Sequence, residues 1–265
     1  MRHRWLVLEM NFRKMKKISI IIATYNAAHV LQRCLDSIRP QKTEDVELVI
    51  VDGLSTDETM QIVKNNNDII DLAISEKDNG IYDAWNKGII HSSGQWIMFI
   101  GADDQLSVGA IDAYLDFVKR SGADLDYVSA QLLYLDMKGN AIRTIGEAWR
   151  WSKFKRKMNV AHVTSLHNVA LFEEVGLFDT NYKICADYEL LLRKKELLRA
   201  AFMPKIVANM TIGGVSFTTQ AIEETCQILS LHTKLSPIER VFMRAVKYAE
   251  FYFFKFRKSL FYSLK

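Results

Sequence analysis

The feature that most limits what this chain can become is an uninterrupted run of largely β-branched residues, Lys17 to Ala23 (KISIIIA), that breaks off into the polar Thr24-Tyr25-Asn26. A strand with one wet face alternates apolar and polar residues, whereas an unbroken apolar run needs cover on both faces, the condition of a buried parallel sheet. The same signature returns at Val46 to Val51 (VELVIV), which ends at Asp52-Gly53. Between the two runs, Val30, Leu31, Leu35 and Ile38 recur at helical spacing over Ala28 to Ile38, and Pro40 stops the pattern.

The alternation continues. Ser55-Thr56-Asp57-Glu58 reads as a helix start leading into Met60, Ile62 and Val63, and Ile69 to Ile74 as a weaker strand. A loop at Glu76 to Gly80, a helix over Tyr82 to Ile90 and a strand at Trp96 to Ile100 follow. Repeated strand-helix-strand units predict an α/β fold with a mostly parallel, Rossmann-like central sheet flanked by helices. Beyond Ser107 the pattern gives a helix to about Arg120, a long strand at Tyr127 to Leu135, and a turn at Lys138-Gly139-Asn140. The basic, aromatic stretch from Trp149 (WRWSKFKRKM) reads as a surface loop or short amphipathic helix, and Asp187 to Arg193 as a helix.

Composition narrows the class. With 265 residues, 49% hydrophobic and 25% charged, the chain suits one large domain with or without an appendage. Three widely spaced cysteines, Cys34, Cys185 and Cys226, give neither a disulfide framework nor a zinc motif, so a reducing cytosol is expected. A net charge of +4 is too small to argue for a nucleic-acid partner. Residues 1–14 carry too short an apolar stretch for a signal peptide and are expected to be a disordered extension, with the main domain over 15–220 and a helical segment over 221–265. No apolar run reaches the roughly 20 residues that a membrane-spanning helix needs.

In open α/β sheets, ligands bind outside the carboxyl ends of the strands. Asp52, Asp78, Asp103 and Asp104 fall on those ends. There is no GxGxxG after the first strand and no GxxxxGK[ST], which weakens the dehydrogenase and P-loop readings. What remains is a set of carboxylates suited to a hard cation, Mg2+ or Mn2+, bridging a diphosphate.

Five segments, in order, carry a resemblance: Ser19 to Asn26 (SIIIATYN), Val51 to Asp57 (VDGLSTD), Ser75 to Gly88 (SEKDNGIYDAWNKG), Gly101-Ala102-Asp103-Asp104, and Ala186-Asp187-Tyr188-Glu189. The ordered set resembles the family 2 glycosyltransferases over roughly Lys16 to Gly214, and the third segment looks like the branch that builds bacterial surface polysaccharides. The resemblance implies a GT-A fold, a nucleoside diphosphate sugar as donor with a UDP-sugar expected, a divalent metal, and inversion at the anomeric carbon of the transferred sugar. It implies that Asp52 holds the nucleobase, with the backbone around Thr24 and Tyr25 lining the same pocket. Asp103 and Asp104 match the ribose and metal motif, with Gly101 where a first acid is usual, so either aspartate can be the metal ligand. Asp187 matches the catalytic base, which accepts the proton of an attacking acceptor hydroxyl.

Several residues keep two readings. Asp78, Asp83 and Asn86 are placed near the donor, with Lys87 beside them, or else Asn86-Lys87-Gly88 simply ends or caps a helix turn. His167 is either close to the site or structural, and Gly213-Gly214-Val215-Ser216 either lies near the donor diphosphate or is a turn. From Pro237 onward, Arg240, Arg244, Lys247, Lys255 and Lys258 share one side of a helix, and Val241, Phe242, Ala245, Tyr252 and Phe256 share another. This basic amphipathic helix is expected on an anionic membrane surface, the inner face of the cell membrane, beside a lipid-linked saccharide acceptor; packing on the domain or in a dimer is the alternative. As functions, a silent nucleotide-sugar-binding scaffold and a nucleotidyltransferase stand as alternatives to the transferase.

Overall fold

The unbroken run at Lys17 to Ala23 forms the middle of β1 (Lys16–Thr24) in a computed structural model that describes residues 16–121, 124–212 and 218–263. Next come α1 (Ala28–Ile38), β2 (Val46–Asp52), α2 (Thr59–Asn65), β3 (Leu72–Ser75), α3 (Ile81–His91), β4 (Gly94–Gly101), β5 (Gln105–Leu106) and α4 (Ala110–Ser121). The second half holds β6 (Tyr127–Leu135), β7 (Ala141–Ile145), α5 (Trp151–Phe154), β8 (Ser165–Asn168), α6 (Val169–Val175), α7 (Ala186–Lys194), β9 (Ala200–Thr211), α8 (Thr219–His232) and α9 (Pro237–Ser263). The strands join in one sheet in the order β3-β2-β1-β4-β8-β6-β9-β5, with β7 paired to β6. It is parallel across β3, β2, β1 and β4, and mixed from the antiparallel β8 onward. This is the α/β sheet with flanking helices that the strand signals predict.

The reason for the unbroken apolar runs is visible in the two cores. Ile18, Ile20 and Ile22 point to one face, against Leu31, Leu35 and Ile38 of α1 and Ile111 and Tyr114 of α4. Ile21 points to the other, with Trp85 and Ile89 of α3 and Leu190, Leu191 and Leu192 of α7. Leu48 and Ile50 alternate with Val49 and Val51 in the same way. Each strand therefore buries both faces, as parallel strands under crossover helices must.

Register places the site. Thr24 pairs with Asp52, Ala23 with Gly101, and Asp52 with Ser75, so the carboxyl ends of β1, β2, β3 and β4 finish level with one another. Two departures from the sequence reading have local causes. The strand expected from Ile69 begins only at Leu72, because the Asn66 carbonyl accepts the N–H groups of Ile69 and Ile70 and closes a turn there. The helix expected to start at Ser55 starts at Thr59, where Asp57 Oδ1 accepts both the Thr59 N–H and its hydroxyl, while Ser55 is drawn to Asp52 instead.

The basic aromatic stretch makes the short α5, whose Phe154 is buried and whose carbonyl receives the Tyr188 hydroxyl. α8 packs its Ile228 and Leu229 into the second core, and the long α9 follows it. Residues 1–14 and Gly213 to Ser216 lie outside the described residues.

Candidate active site

Asp52 is fully buried at the end of β2, and four hydrogen bonds occupy its carboxylate. Oδ1 accepts from the Thr24 hydroxyl at 3.0 Å and the Ser55 hydroxyl at 2.5 Å, and Oδ2 from the Ser55 N–H at 3.0 Å and the Ser75 hydroxyl at 2.8 Å. Charge-assisted bonds of this kind make a rigid hub that ties together the ends of β1, β2 and β3. A direct bond to a nucleobase, as the sequence reading expects of Asp52, would require one of these four to open. What the hub presents outward are Tyr25, 66% exposed, and Leu54, 51% exposed, one on each loop. Asn26 stitches the loops further: its N–H donates to Ser55 Oγ at 2.8 Å, and its Oδ1 accepts the Thr56 N–H at 2.9 Å. Asn26 and Leu54 both hold a left-handed backbone, with φ of 49° and 61°. Such conformations cost energy in residues with a side chain and cluster at ligand sites.

Asp103 and Asp104 follow β4, two strands away from Asp52, or about 10 Å at ordinary strand spacing. They differ in environment. Asp103 is exposed, while Asp104 is buried with its Oδ2 accepting the Gly101 N–H at 3.1 Å and its Oδ1 without any partner. Burial first, and the Asp103 charge second, push the Asp104 carboxyl up to about 7. A β-carbon at 101 would fall 2.8 Å from both Asp103 Oδ1 and Asp104 Oδ2, so a side chain there would have to displace those carboxylates. The acid missing from position 101 thus leaves the space that the two following carboxylates fill.

The loop after β3 supplies the third wall. Asp78 Oδ1 accepts the Gly80 N–H at 3.0 Å, and its Oδ2 leans over Gly53. Asp83, in the first turn of α3, accepts the Asn79 N–H at 2.9 Å, and Lys87 binds Glu76 at 2.9 Å. Asn86, expected near the donor, is employed elsewhere: its amide donates to the Phe178 carbonyl at 2.9 Å and accepts the Phe178 N–H at 3.0 Å. That pair fixes the turn before α7, and both ends of the amide are used in it.

Asp187 sits in the first turn of α7 with its side chain 14% exposed. Its Oδ1 accepts the Tyr188 N–H at 2.9 Å and lies 3.1 Å from the Tyr82 hydroxyl, which also lies 2.6 Å from the Ile184 carbonyl. No other described residue hydrogen-bonds Oδ2, which has His162 Nδ1 at 3.9 Å. Burial pushes the Asp187 carboxyl up to about 6, against the bonds from Tyr188 and Tyr82 that favour the anion. Tyr82 links Asp187 to the loop after β3, since it stands in the first turn of α3 with Asp83, just after the loop that carries Asp78. Glu224 of α8 sets the approach to α7 by accepting the N–H groups of Lys183 at 3.0 Å, Ile184 at 2.8 Å and Cys185 at 3.0 Å.

Tyr82, Ser75, Glu224 and His162 were not candidates on sequence, since nothing in their spacing marks them. His167, which was one, lies deeper, enclosed by Phe99, Tyr127 and Phe172.

The family profile for Glycosyl transferase family 2 matches residues 19–170. A PGL/p-HBAD biosynthesis glycosyltransferase of Mycobacterium tuberculosis is 34% identical over 227 residues, covering 82% of this chain and 85% of that protein. A chondroitin synthase of Pasteurella multocida is 25% identical over 205 residues, covering 74% of this chain and 21% of the synthase. Among solved structures, S. aureus TarS 1-349 in complex with UDP superposes with a TM-score of 0.64 at 18% identity, covering 86% of this chain and 70% of the other. Mannosyltransferase PcManGT from Pyrobaculum calidifontis, in complex with GDP-Man and Mn2+, gives 0.62 at 17% identity, covering 92% and 74%. These neighbours share the GT-A fold expected from the resemblance.

Proposed function

Because this chain belongs to glycosyltransferase family 2, we propose that it moves a sugar from a nucleoside diphosphate sugar, a UDP-sugar before others, onto a hydroxyl of a lipid-linked saccharide, with inversion at the anomeric carbon. The observation that carries this reading is the state of Asp187, a largely enclosed carboxylate whose Oδ1 accepts from Tyr188 and lies beside the Tyr82 hydroxyl, while no other described residue hydrogen-bonds Oδ2. As the acceptor oxygen bonds to the anomeric carbon, the bond from that carbon to the diphosphate oxygen breaks, and the hydroxyl proton passes to Oδ2. With its carboxyl at about 6, Asp187 is ionised at neutral pH yet more basic than a carboxylate in water, the compromise a general base needs. No enzyme nucleophile is required.

Donor binding falls to the rim built on the Asp52 hub. Tyr25 and Leu54 wall a slot for the base, and Asp78, Asp83 and the Thr24 backbone border it. Asp103 and Asp104 fit a divalent cation: Asp104 offers a buried Oδ1 with no partner, and Asp103 is open to solvent beside it. Mg2+ or Mn2+ is commonly taken by one or two carboxylates plus phosphate oxygens and water, the set that Asp103 and Asp104 would supply with a bound diphosphate. When bound, such an ion supplies neutralisation of the charge that develops on the leaving diphosphate.

The acceptor side is argued from α9. Among the described residues no helix is long and apolar enough to cross a membrane. α9 instead turns Ile238, Val241, Phe242, Ala245 and Tyr252 outward, with Phe242 70% exposed, while Met243 packs inward on the second core. Cations flank the seated side: Arg244 pairs with Glu223 at 2.9 Å, and Lys247 reaches the Arg156 carbonyl at 3.5 Å. An outward apolar stripe on a basic helix suits the interface of an anionic bilayer, at the cytoplasmic face where nucleotide sugars are available.

A thermal-shift screen of nucleoside diphosphate sugars with and without Mn2+ tests the donor assignment, because a ligand that binds the folded state raises Tm. Asp187→Asn should abolish transfer while keeping the donor-induced shift. Retained turnover reassigns the base. Diphosphate release from a nucleoside triphosphate plus sugar phosphate would favour a nucleotidyltransferase, and donor binding without transfer to any acceptor would favour a scaffold.

A further inference from the structure

His162 follows β7 and α5 in a single helical turn, His162–Thr164, that leads into β8. Its ring is stacked on Phe99 at 5.4 Å with 11° between the planes and lies 4.9 Å from Trp85. The side chain is 8% exposed, and neither ring nitrogen has a hydrogen-bond partner. A polar ring enclosed in this way is unfavourable unless some state of the protein satisfies it. Asp187 Oδ2 lies 3.9 Å from Nδ1.

We propose that His162 is a positioning residue for Asp187: neutral, with its proton on Nδ1, it donates to Oδ2 when the substrates close the site, and so orients the free lone pair of that oxygen toward the acceptor hydroxyl. The proposal rests on the reading of Asp187 as the base. A closure of about 1 Å brings the pair into hydrogen-bond range, and catalytic hydrogen bonds commonly tighten in this way on substrate binding. Neutrality follows from the surroundings, since burial pushes the His162 imidazole down to about 3. The other titratable groups that face Asp187 are Tyr82 from α3, Tyr127 from β6, Cys185 beside it and Glu224 from α8. Burial raises Tyr82 and Tyr127 and holds Cys185 up at about 12, so these three stay neutral through the working range. The His167 ring lies 5.2 Å from that of His162, and burial holds it neutral as well.

The test compares His162→Phe, which keeps the stacking but no donor, with His162→Asn, whose amide nitrogen reaches the place of Nδ1. kcat is followed against pH at saturating donor and Mn2+. Loss of a donor to the anion raises a carboxyl, so His162→Phe should move the acid limb up by about one pH unit and lower kcat about tenfold or more, with donor KM unchanged. His162→Asn should restore the limb. An unshifted limb in His162→Phe, or equal damage in both variants, overturns the proposal. Should either variant fail to fold, the tautomer is read by 15N NMR in the unsubstituted protein, the ring being assigned through its contacts with Trp85 and Phe99. A proton on Nε2 overturns the proposal, and one on Nδ1 supports it. Asp187→Asn is assayed alongside: if it keeps turnover, the base assignment falls, whereas a dead Asp187→Asn with an indifferent His162→Phe removes His162 alone.

Discussion

Asp78 Oδ2 lies 2.5 Å from the point that a β-carbon on Gly53 would occupy, so the carboxylate from the loop after β3 fills the place of a side chain at the end of β2. The two loops are thereby fitted to each other beside the Asp52 hub. Gly53→Ala should push the Asp78 carboxylate out of the rim and weaken nucleoside diphosphate binding about tenfold, ~1.4 kcal/mol. Isothermal titration of the nucleotide would check this, and Asp78→Ala should give a similar loss. If Gly53→Ala binds as tightly as the parent, Asp78 has no part in the donor site.

Glu224 receives three consecutive backbone N–H groups just ahead of α7, which fixes where Asp187 stands although Glu224 is one helix away. Glu224→Gln removes the charge while keeping the shape, and the loss of charge-assisted bonds should cost about 2 kcal/mol. For a chain of this size that is a Tm lower by about 5 °C. Turnover should fall more than donor affinity, because the affected backbone leads to the base rather than to the nucleotide loops. Equal losses in kcat and in donor Kd would show that Glu224 supports the whole cleft.

Much of this could be read in the residues alone, and the boundary is physical. β1 and β2 are legible because burial on both faces leaves an unbroken apolar run, whereas Asp52 and Asp104 are singled out by their place at strand ends and Asp187 only by the resemblance of its segment. The stretch Ser55 to Glu58 does lead into a helix, but Ser55 itself serves the Asp52 carboxylate rather than the helix, a choice that register decides. Asn86 sits in a telling segment, yet its amide is spent on Phe178, 92 positions further on. His162 and Glu224 carry no local signal at all, since their partners are brought to them only by the packing of β8 and α8 against α7. The face that α9 turns outward likewise follows from which side Met243 takes against the core, and the helical wheel leaves that open.

The enclosed Asp187 should make stability depend on pH in a defined direction. Its carboxyl stands at about 6 in the folded protein, against 3.8 for the free group, so between those values the folded state keeps a proton that the unfolded chain has released. Stability from this group is therefore greatest below about pH 4 and is lost as pH rises through about 6. Asp187→Asn has no such charge to enclose. It should match the parent near pH 4 and exceed it at pH 8 by on the order of 3 kcal/mol, the cost of about two pH units. Urea unfolding of both proteins across this range would check the sign, and a difference that stays constant with pH would contradict it. At the acid end both should weaken together. Asp126 and Glu189 are partly buried, which opposes ionisation, but their bonds to Arg199 and to His232 and Arg193 prevail and lower both carboxyls, so their contribution is lost as pH falls below about 4.

The outward stripe of α9 makes the most direct prediction about location. Val241 and Phe242 are 71% and 70% exposed, touching neither core, so replacing both with glutamate should leave Tm within about 1 °C of the parent. If the stripe enters a bilayer, two large apolar side chains are withdrawn from water there, worth about 4 kcal/mol together. Val241→Glu with Phe242→Glu should then lower the partition onto anionic vesicles at least a hundredfold in a flotation assay. Parent binding should weaken as salt screens the basic residues of the same helix. Transfer to a short, water-soluble acceptor should be unchanged in the double variant, because Val241 and Phe242 face away from both cores, and transfer to a lipid-linked acceptor in vesicles should fall. A parent protein that ignores anionic vesicles but elutes as a dimer, with the double variant eluting as a monomer, would assign the stripe to a second copy of the chain instead.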